Sequence, residues 1–182
     1  MEEYVGMPAS HPASFRRWLQ RRMADIIRPG RVHYMHGDAA GLDGEGRRYG
    51  GLSGGTPFGI RFVGFDKNGH MAAVADLHDS AAVKRVVLDE CCHRRQVREG
   101  DSPDPASVPP EAITATCPVP TGAAHLICSV SDRPKAEAVR SALEGPLSER
   151  CPGLLVLTPP SCANFFDMEP ASLFNWGRLE DL

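Results

Sequence analysis

Residues 124–130, AHLICSV, and residues 154–158, LLVLT, bracket a stretch over 133–144 whose spacing predicts a helix. Pro134 falls early in that helix and Gly145 just past its end. Helices favour this asymmetry, because the N–H that proline lacks is unpaired in the first turn anyway. The 154–158 run is apolar without alternation, as expected for a strand buried on both faces of a parallel sheet. Strand, helix and strand in this order set the fold class as α/β with a mostly parallel sheet.

The rest of the chain is read outward from that unit. GIRFVGFD (59–66) and HMAAVADL (70–77) flank Lys67-Asn68-Gly69, the pattern of a β-hairpin inserted in the sheet. Asp79-Ser80 is placed to cap a helix over 81–97, with Val83, Val87 and Cys91 on one stripe. Residues 99–112 read as an acidic, proline-rich surface loop. Near the start, EEYVGM (2–7) suits a short strand. Ser14 is a good N-cap for a helix over 15–27, whose apolar positions are Phe15, Trp18, Leu19, Met23, Ile26 and Ile27. Arg28-Pro29-Gly30 ends it, and RVHYMH (31–36) reads as a strand. Residues 37–59 hold nine glycines. The expected organisation is one α/β domain over 1–160 and an acidic, aromatic tail over 161–182, without internal repeats. The tail either packs on the domain or, through 163–182, docks in a protein partner's groove.

Composition excludes several classes. The 182 residues are 42% hydrophobic and 24% charged, which is incompatible with a wholly disordered chain. No apolar run is long enough for a membrane span, and the start lacks the basic and apolar regions of a secretory signal. A cytoplasmic location is therefore expected. The net charge of −3 hides an asymmetry: residues 1–98 carry 15 Lys/Arg against 11 Asp/Glu, residues 99–182 carry 5 against 12. The cluster Arg16, Arg17, Arg21, Arg22, Arg28 and Arg31 can meet phosphate or form a solvated helix face. A nucleic-acid partner is not favoured without a basic excess. The six cysteines include no C-x-x-C, so reduced thiols are expected. Cys91-Cys92-His93 lacks zinc spacing, and no metal site is expected.

The strongest candidate site is where RVHYMH runs into Gly37-Asp38-Ala39-Ala40-Gly41-Leu42-Asp43. Ligands of open α/β sheets bind beyond the carboxyl ends of strands, and glycines there let backbone approach a phosphate. In this reading Gly37 and Gly41 contact phosphate, Asp38 or Asp43 reads a ribose, and Arg47 or Arg48 neutralises charge. His36 is the candidate acid/base group, because a free imidazole titrates near neutrality.

The order strand, helix, strand, then G-x-A-x-G-x-D over residues 3–48 resembles the SLOG superfamily of Rossmann-like nucleotide-binding proteins, which includes the DprA and Lonely Guy proteins. The resemblance implies a Rossmann-like sheet and a ligand-binding turn at Gly37, Gly41 and Asp43. His36-Gly37, Gly50-Gly51-Leu52 and Phe58-Gly59-Ile60-Arg61-Phe62 also look like ADP-ribosyltransferases of the diphtheria-toxin type. That likeness implies an NAD ribose at the His-Gly pair, with Glu90 as the candidate catalytic acid. The leading expectation is binding, with processing left open, of a nucleotide-derived small molecule; the cofactor is unassigned, with a nucleotide or NAD-derived ligand as the candidate. The rival is a non-enzymatic interaction protein that uses its basic first helix or its aromatic tail.

Overall fold

The structure, a computed structural model, describes residues 2–54, 58–64, 81–98, 104–116, 123–131, 133–145, 162–173 and 175. Its strands are β1 (Glu2–Tyr4), β2 (Phe58–Val63), β3 (Val83–Val87), β4 (Glu111–Ala115), β5 (Ala123–Val130) and β6 (Cys162–Phe166). Its helices are α1 (Phe15–Leu19), α2 (Asp25–Ile27), α3 (Leu42–Gly54), α4 (Glu90–Arg98) and α5 (Ala136–Glu144). A π-helical turn, Gln20–Ala24, joins α1 to α2. The chain forms two compact units, Met1–Gly55 with Ala81–Ala115, and Thr56–Ser80 with Thr116–Leu182. One sheet is antiparallel and the other parallel, so the protein is a Rossmann-like α/β fold.

The first unit is built on the antiparallel order β1-β4-β3. Tyr4 pairs with Ala112, and Val83 with Ala115. The central strand β4 is paired on both sides, by β1 and β3, and buries Ala112, Ile113, Thr114 and Ala115. Tyr4, Met7 and Val108 form a core with Phe15 and Leu88 against it. The Tyr4 and Phe15 rings stack with centroids 5.2 Å apart, a contact that seats α1 on β1.

Three sequence expectations are corrected in this unit. Residues 81–97 are not one helix: they form β3, then α4. Val83, Val86 and Val87 are β-branched and pair across to β4, while Asp89 starts α4 by accepting a hydrogen bond from the Cys92 amide at 2.7 Å. Residues 111–115, partly assigned to the 99–112 loop, are the central strand β4. Residues 31–36 form no strand and join neither sheet. Their backbone is instead tied down by side chains, as Tyr34 and His36 show below. The 15–27 helix does form, with Ser14 as its cap, but Trp18, Met23, Ile26 and Ile27 remain exposed.

The second unit carries the parallel order β2-β5-β6. Phe62 lies opposite Ile127 in one pairing, and Ser129 opposite Phe165 in the other. Leu126, Cys128 and Val130 of β5 face Ala138, Val139 and Ala142 of α5 in one buried cluster. Small alanines on α5 let the helix sit close to the sheet. Burial pushes the Cys128 thiol up to about 12, so it is an inert core group rather than a nucleophile. The expected helix after β5 is present as a tight turn, Arg133–Lys135, followed by α5. Its return strand, 154–158, lies outside the described residues, as does the second hairpin arm, 70–77. The first hairpin arm supplies β2, which pairs in parallel with β5. The first residues of the segment read as a tail form β6.

Candidate functional site

The first unit gathers its charged side chains around the start of α1 and the segment that leads into α3. Glu3 is the centre of the first group and is only 1% exposed. Its carboxylate accepts from the Ser14 hydroxyl at 2.7 Å and from the amides of Tyr4 (2.9 Å), Phe15 (3.3 Å) and Arg16 (2.8 Å). The Ser14 hydroxyl in turn accepts from the Arg17 amide at 3.2 Å. The first amides of α1 are thus satisfied from inside the unit, not by a bound anion.

Gly37 is the second fixed point. The Gly6 amide donates to its carbonyl at 2.8 Å, and a Cβ on Gly37 would lie 2.0 Å from the Tyr4 carbonyl oxygen. Its lack of a side chain is therefore required by the backbone of the turn after β1. Gly41 differs: a Cβ there would meet nothing within 4 Å.

Around Gly37, three of the predicted site residues are engaged by Arg16, Glu45 and Tyr34, which lie outside the predicted turn set. Asp38 pairs with Arg16 at 3.0 Å, and the Arg16 hydrogen bond holds the Asp38 carboxyl below its usual range. Glu45, on the first turn of α3, accepts from the His36 amide at 2.8 Å and from Arg48 at 2.6 and 2.7 Å. Arg48 also donates to the Tyr34 carbonyl at 2.6 Å. One carboxylate thus clamps the 34–36 segment to α3 and occupies Arg48. His36, Asp38, Asp43 and Arg47 are exposed.

The Arg48 hydrogen bonds hold the Glu45 carboxyl below the ordinary carboxylate range, and the same pair raises the Arg48 guanidinium. A carboxyl more acidic in the folded than in the unfolded chain stabilises the fold fully above its unfolded value. That contribution is lost as pH falls through the lowered folded value. Arg48→Met should therefore lower stability most at neutral pH, with the gap to the parent chain closing below about pH 4. Urea unfolding at pH 7 and pH 3 reads this directly. An equal gap at both pH values would show that the pair has no electrostatic share in stability.

Sequence reasoning missed a groove beside this cluster. It has a volume of about 460 Å³ and is lined by Arg16, Arg17, Gln20, Arg21, Asp25 and Tyr34, with Ala9 and Ser10. Tyr34 closes one side, its hydroxyl donating to Gln20 at 2.6 Å. Burial, with Asp25 nearby, raises the Tyr34 phenol above its usual range, so it stays a neutral donor. The signal was present in the arginine spacing of 16, 17 and 21, but Tyr34 and Asp38 meet it only through tertiary structure. Among the described residues, no group of three or more His, Cys, Asp or Glu is arranged to hold a metal ion. No helix among them is long and apolar enough to cross a membrane.

A parallel sheet backed by a helix, as in the second unit, defines the Rossmann-like α/β class. Within it, the chain is similar to a monomeric glucosamine-6-phosphate deaminase described as a missing link of the NagB superfamily. The solved structure matches with a TM-score of 0.84 and 29% identity, covering 95% of this chain and 73% of that one. The glucosamine-6-phosphate deaminases of Bacillus thuringiensis (strain Al Hakam) and Bacillus anthracis (strain CDC 684) are each 26% identical over 174 residues, 95% of this chain. The chain spans 66% of the length of these curated relatives. A 6-phosphogluconolactonase from Thermotoga maritima shares the fold, with a TM-score of 0.68 at 14% identity. No protein-family model matches the chain.

These findings overturn the SLOG resemblance and the nucleotide-derived ligand it implied: the relatives are sugar-phosphate proteins. They overturn the ADP-ribosyltransferase resemblance on the same ground. The structural reason is visible at Gly37. A short glycine motif matched by chance, because the glycine answers to the Tyr4 carbonyl of its own unit.

Proposed function

We propose that this chain is an enzyme of sugar-phosphate metabolism that acts on a phosphorylated amino sugar and releases its amine as ammonia. One observation carries the reading: the likeness to a glucosamine-6-phosphate deaminase runs through 95% of the chain, in sequence and in structure alike. Such a reaction replaces a carbon–nitrogen bond with a carbon–oxygen bond, water supplying the oxygen, and needs groups that move protons and bind phosphate. In this unit the exposed His36 is the candidate acid/base group, its backbone amide held by Glu45 at 2.8 Å. Arg47 is the candidate phosphate contact, and Asp43 a candidate hydroxyl contact. Arg48 acts through Glu45 as a positioning residue, and Gly37 and Gly41 shape the turn.

Thermal unfolding with glucosamine 6-phosphate, glucosamine, AMP and NAD tests the reading. A ligand at 100 times its dissociation constant adds about 2.7 kcal/mol. The expected result is a rise of several degrees with glucosamine 6-phosphate alone, reduced in Arg47→Ala. No rise with any phosphorylated sugar, or a rise with AMP or NAD, would overturn it.

A further inference from the structure

The groove along the side of α1 concentrates positive charge that the fold leaves unmatched. Its described lining carries three guanidiniums, Arg16, Arg17 and Arg21, against one carboxylate, Asp25. Arg17 and Arg21 stand four residues apart, a spacing at which like charges destabilise a helix. Arg21 is exposed, and among the described residues its guanidinium has no partner. Asp25 lies four residues further on, but its carboxylate accepts from the Gln20 side-chain amide instead. Arg16 adds a second signal. Its side chain is only 12% exposed and pairs with Asp38 through one terminal nitrogen, while its Nε–H is buried with no acceptor. Buried donors are almost always hydrogen-bonded, so an orphan of this kind points to an acceptor from outside the chain. The helix itself is reshaped at this place. The Asp25 amide donates back to the Gln20 carbonyl and closes the π turn, a form that occurs mostly as single turns and often at functional sites.

We infer that this groove binds a small phosphate monoester carried on a hydroxylated carbon chain. The phosphate dianion lies against the Arg17 and Arg21 guanidiniums, whose planar forks suit its oxygens, and accepts from the Arg16 Nε–H. A lone carboxylate would neutralise only one of those two charges. Arg17 is steadied by the Ser10 carbonyl, to which it donates, and keeps its other N–H groups for the anion. Tyr34, on one side of the groove, donates to Gln20, so its phenol oxygen and Asp25 keep lone pairs for the hydroxyls of the ligand. The volume of about 460 Å³ is within the range of small-molecule pockets. Side chains make this site, not the start of α1, whose amides Glu3 and Ser14 already satisfy. No residue of 36–48 lines the groove, so it is separate from the His36 turn, and its chemistry stands without the sugar-phosphate reading.

The test titrates sorbitol 6-phosphate into the full chain by calorimetry, with sorbitol and inorganic phosphate as the two halves of the probe. The expected result is saturable binding of sorbitol 6-phosphate, tighter than that of either half. Hydrogen exchange over residues 16–25 should slow in its presence. Arg21→Glu should weaken the binding at least about tenfold, the scale of a lost hydrogen bond to a charged group. Because Arg21 is exposed and unpaired, that variant should keep the circular dichroism melt of the parent chain. Arg47→Ala should retain the binding, whereas it should weaken glucosamine 6-phosphate if the sugar-phosphate reading holds, so the two readings fail separately. Four results would overturn the inference: no saturable binding, binding that Arg21→Glu leaves intact, binding that Arg47→Ala removes, or inorganic phosphate binding as tightly as the ester, which would make the groove a site for an adventitious ion only.

Discussion

Gly37→Ala is expected to unfold the first unit, or to lower its stability by about 3 kcal/mol or more, the upper end of what overpacking costs. The added Cβ would lie 2.0 Å from the Tyr4 carbonyl oxygen and 2.9 Å from the Glu3 Cγ. Neither obstacle is the far end of a flexible side chain. The Tyr4 backbone is held in β1 by its pairing with Ala112, and Glu3 is fixed by four hydrogen bonds. Relief would have to come from residues 36–38, which the Gly6 amide and the Glu45 carboxylate hold in place. A melt followed by circular dichroism should show a fall on the order of 10 °C. Gly41→Ala is the control, because a Cβ there meets nothing within 4 Å. If the two alanine variants melt alike, the close approach of residue 37 to β1 is wrong.

In the parallel half, β5 and α5 were legible because their signals are local, whereas β6 was read as the start of a tail. AHLICSV makes a strand and 133–144 makes a helix by hydrophobic period, proline and glycine placement alone. The antiparallel half was not. EAITA is a five-residue strand preceded by two prolines, and nothing within it distinguishes a central strand from the end of a loop. Its identity comes from β1 and β3, which lie far from it in sequence. The 81–97 stripe misled for a related reason. Val83 and Val87 are four apart, which suits a helix face. On a strand they share a face as well, since four is also a multiple of two. β-branching was the better guide.

The candidate site was legible in part. The glycine-rich turn singled out His36, Asp38, Asp43, Arg47 and Arg48, but not Glu45, which ties the His36 amide to Arg48. What sequence could not show is which of these charges are already engaged. Arg48 is four residues from Gly44 in a string of polar residues, and only the fold reveals that it spans Glu45 and the Tyr34 carbonyl. The ligand class was misread because glycine motifs carry little information when a protein backbone, and not a phosphate, fills the space they leave.

Glu3→Ala is expected to damage the first unit about as severely as Gly37→Ala. Glu3 is buried, and its two oxygens accept one hydroxyl and three amide hydrogen bonds. Hydrogen bonds to a charged group contribute about 1.5–3 kcal/mol each, and a buried donor left without a partner costs about 1–3 kcal/mol. Alanine would leave the Phe15 and Arg16 amides and the Ser14 hydroxyl without this acceptor, at the point where α1 meets β1. The loss should exceed 3 kcal/mol, and the helix start should fray together with the Tyr4–Phe15 stack. Glu3→Gln separates charge from shape. Each carboxylate oxygen accepts at least one amide N–H, so the glutamine NH2, whichever way it turns, faces a donor with a donor. Glutamine should therefore recover less than half of the loss. Chemical denaturation of the three proteins measures both steps, and amide hydrogen exchange at Phe15 and Arg16 locates them. Full recovery by glutamine, or unchanged protection of those two amides in Glu3→Ala, would show that the carboxylate does not anchor α1.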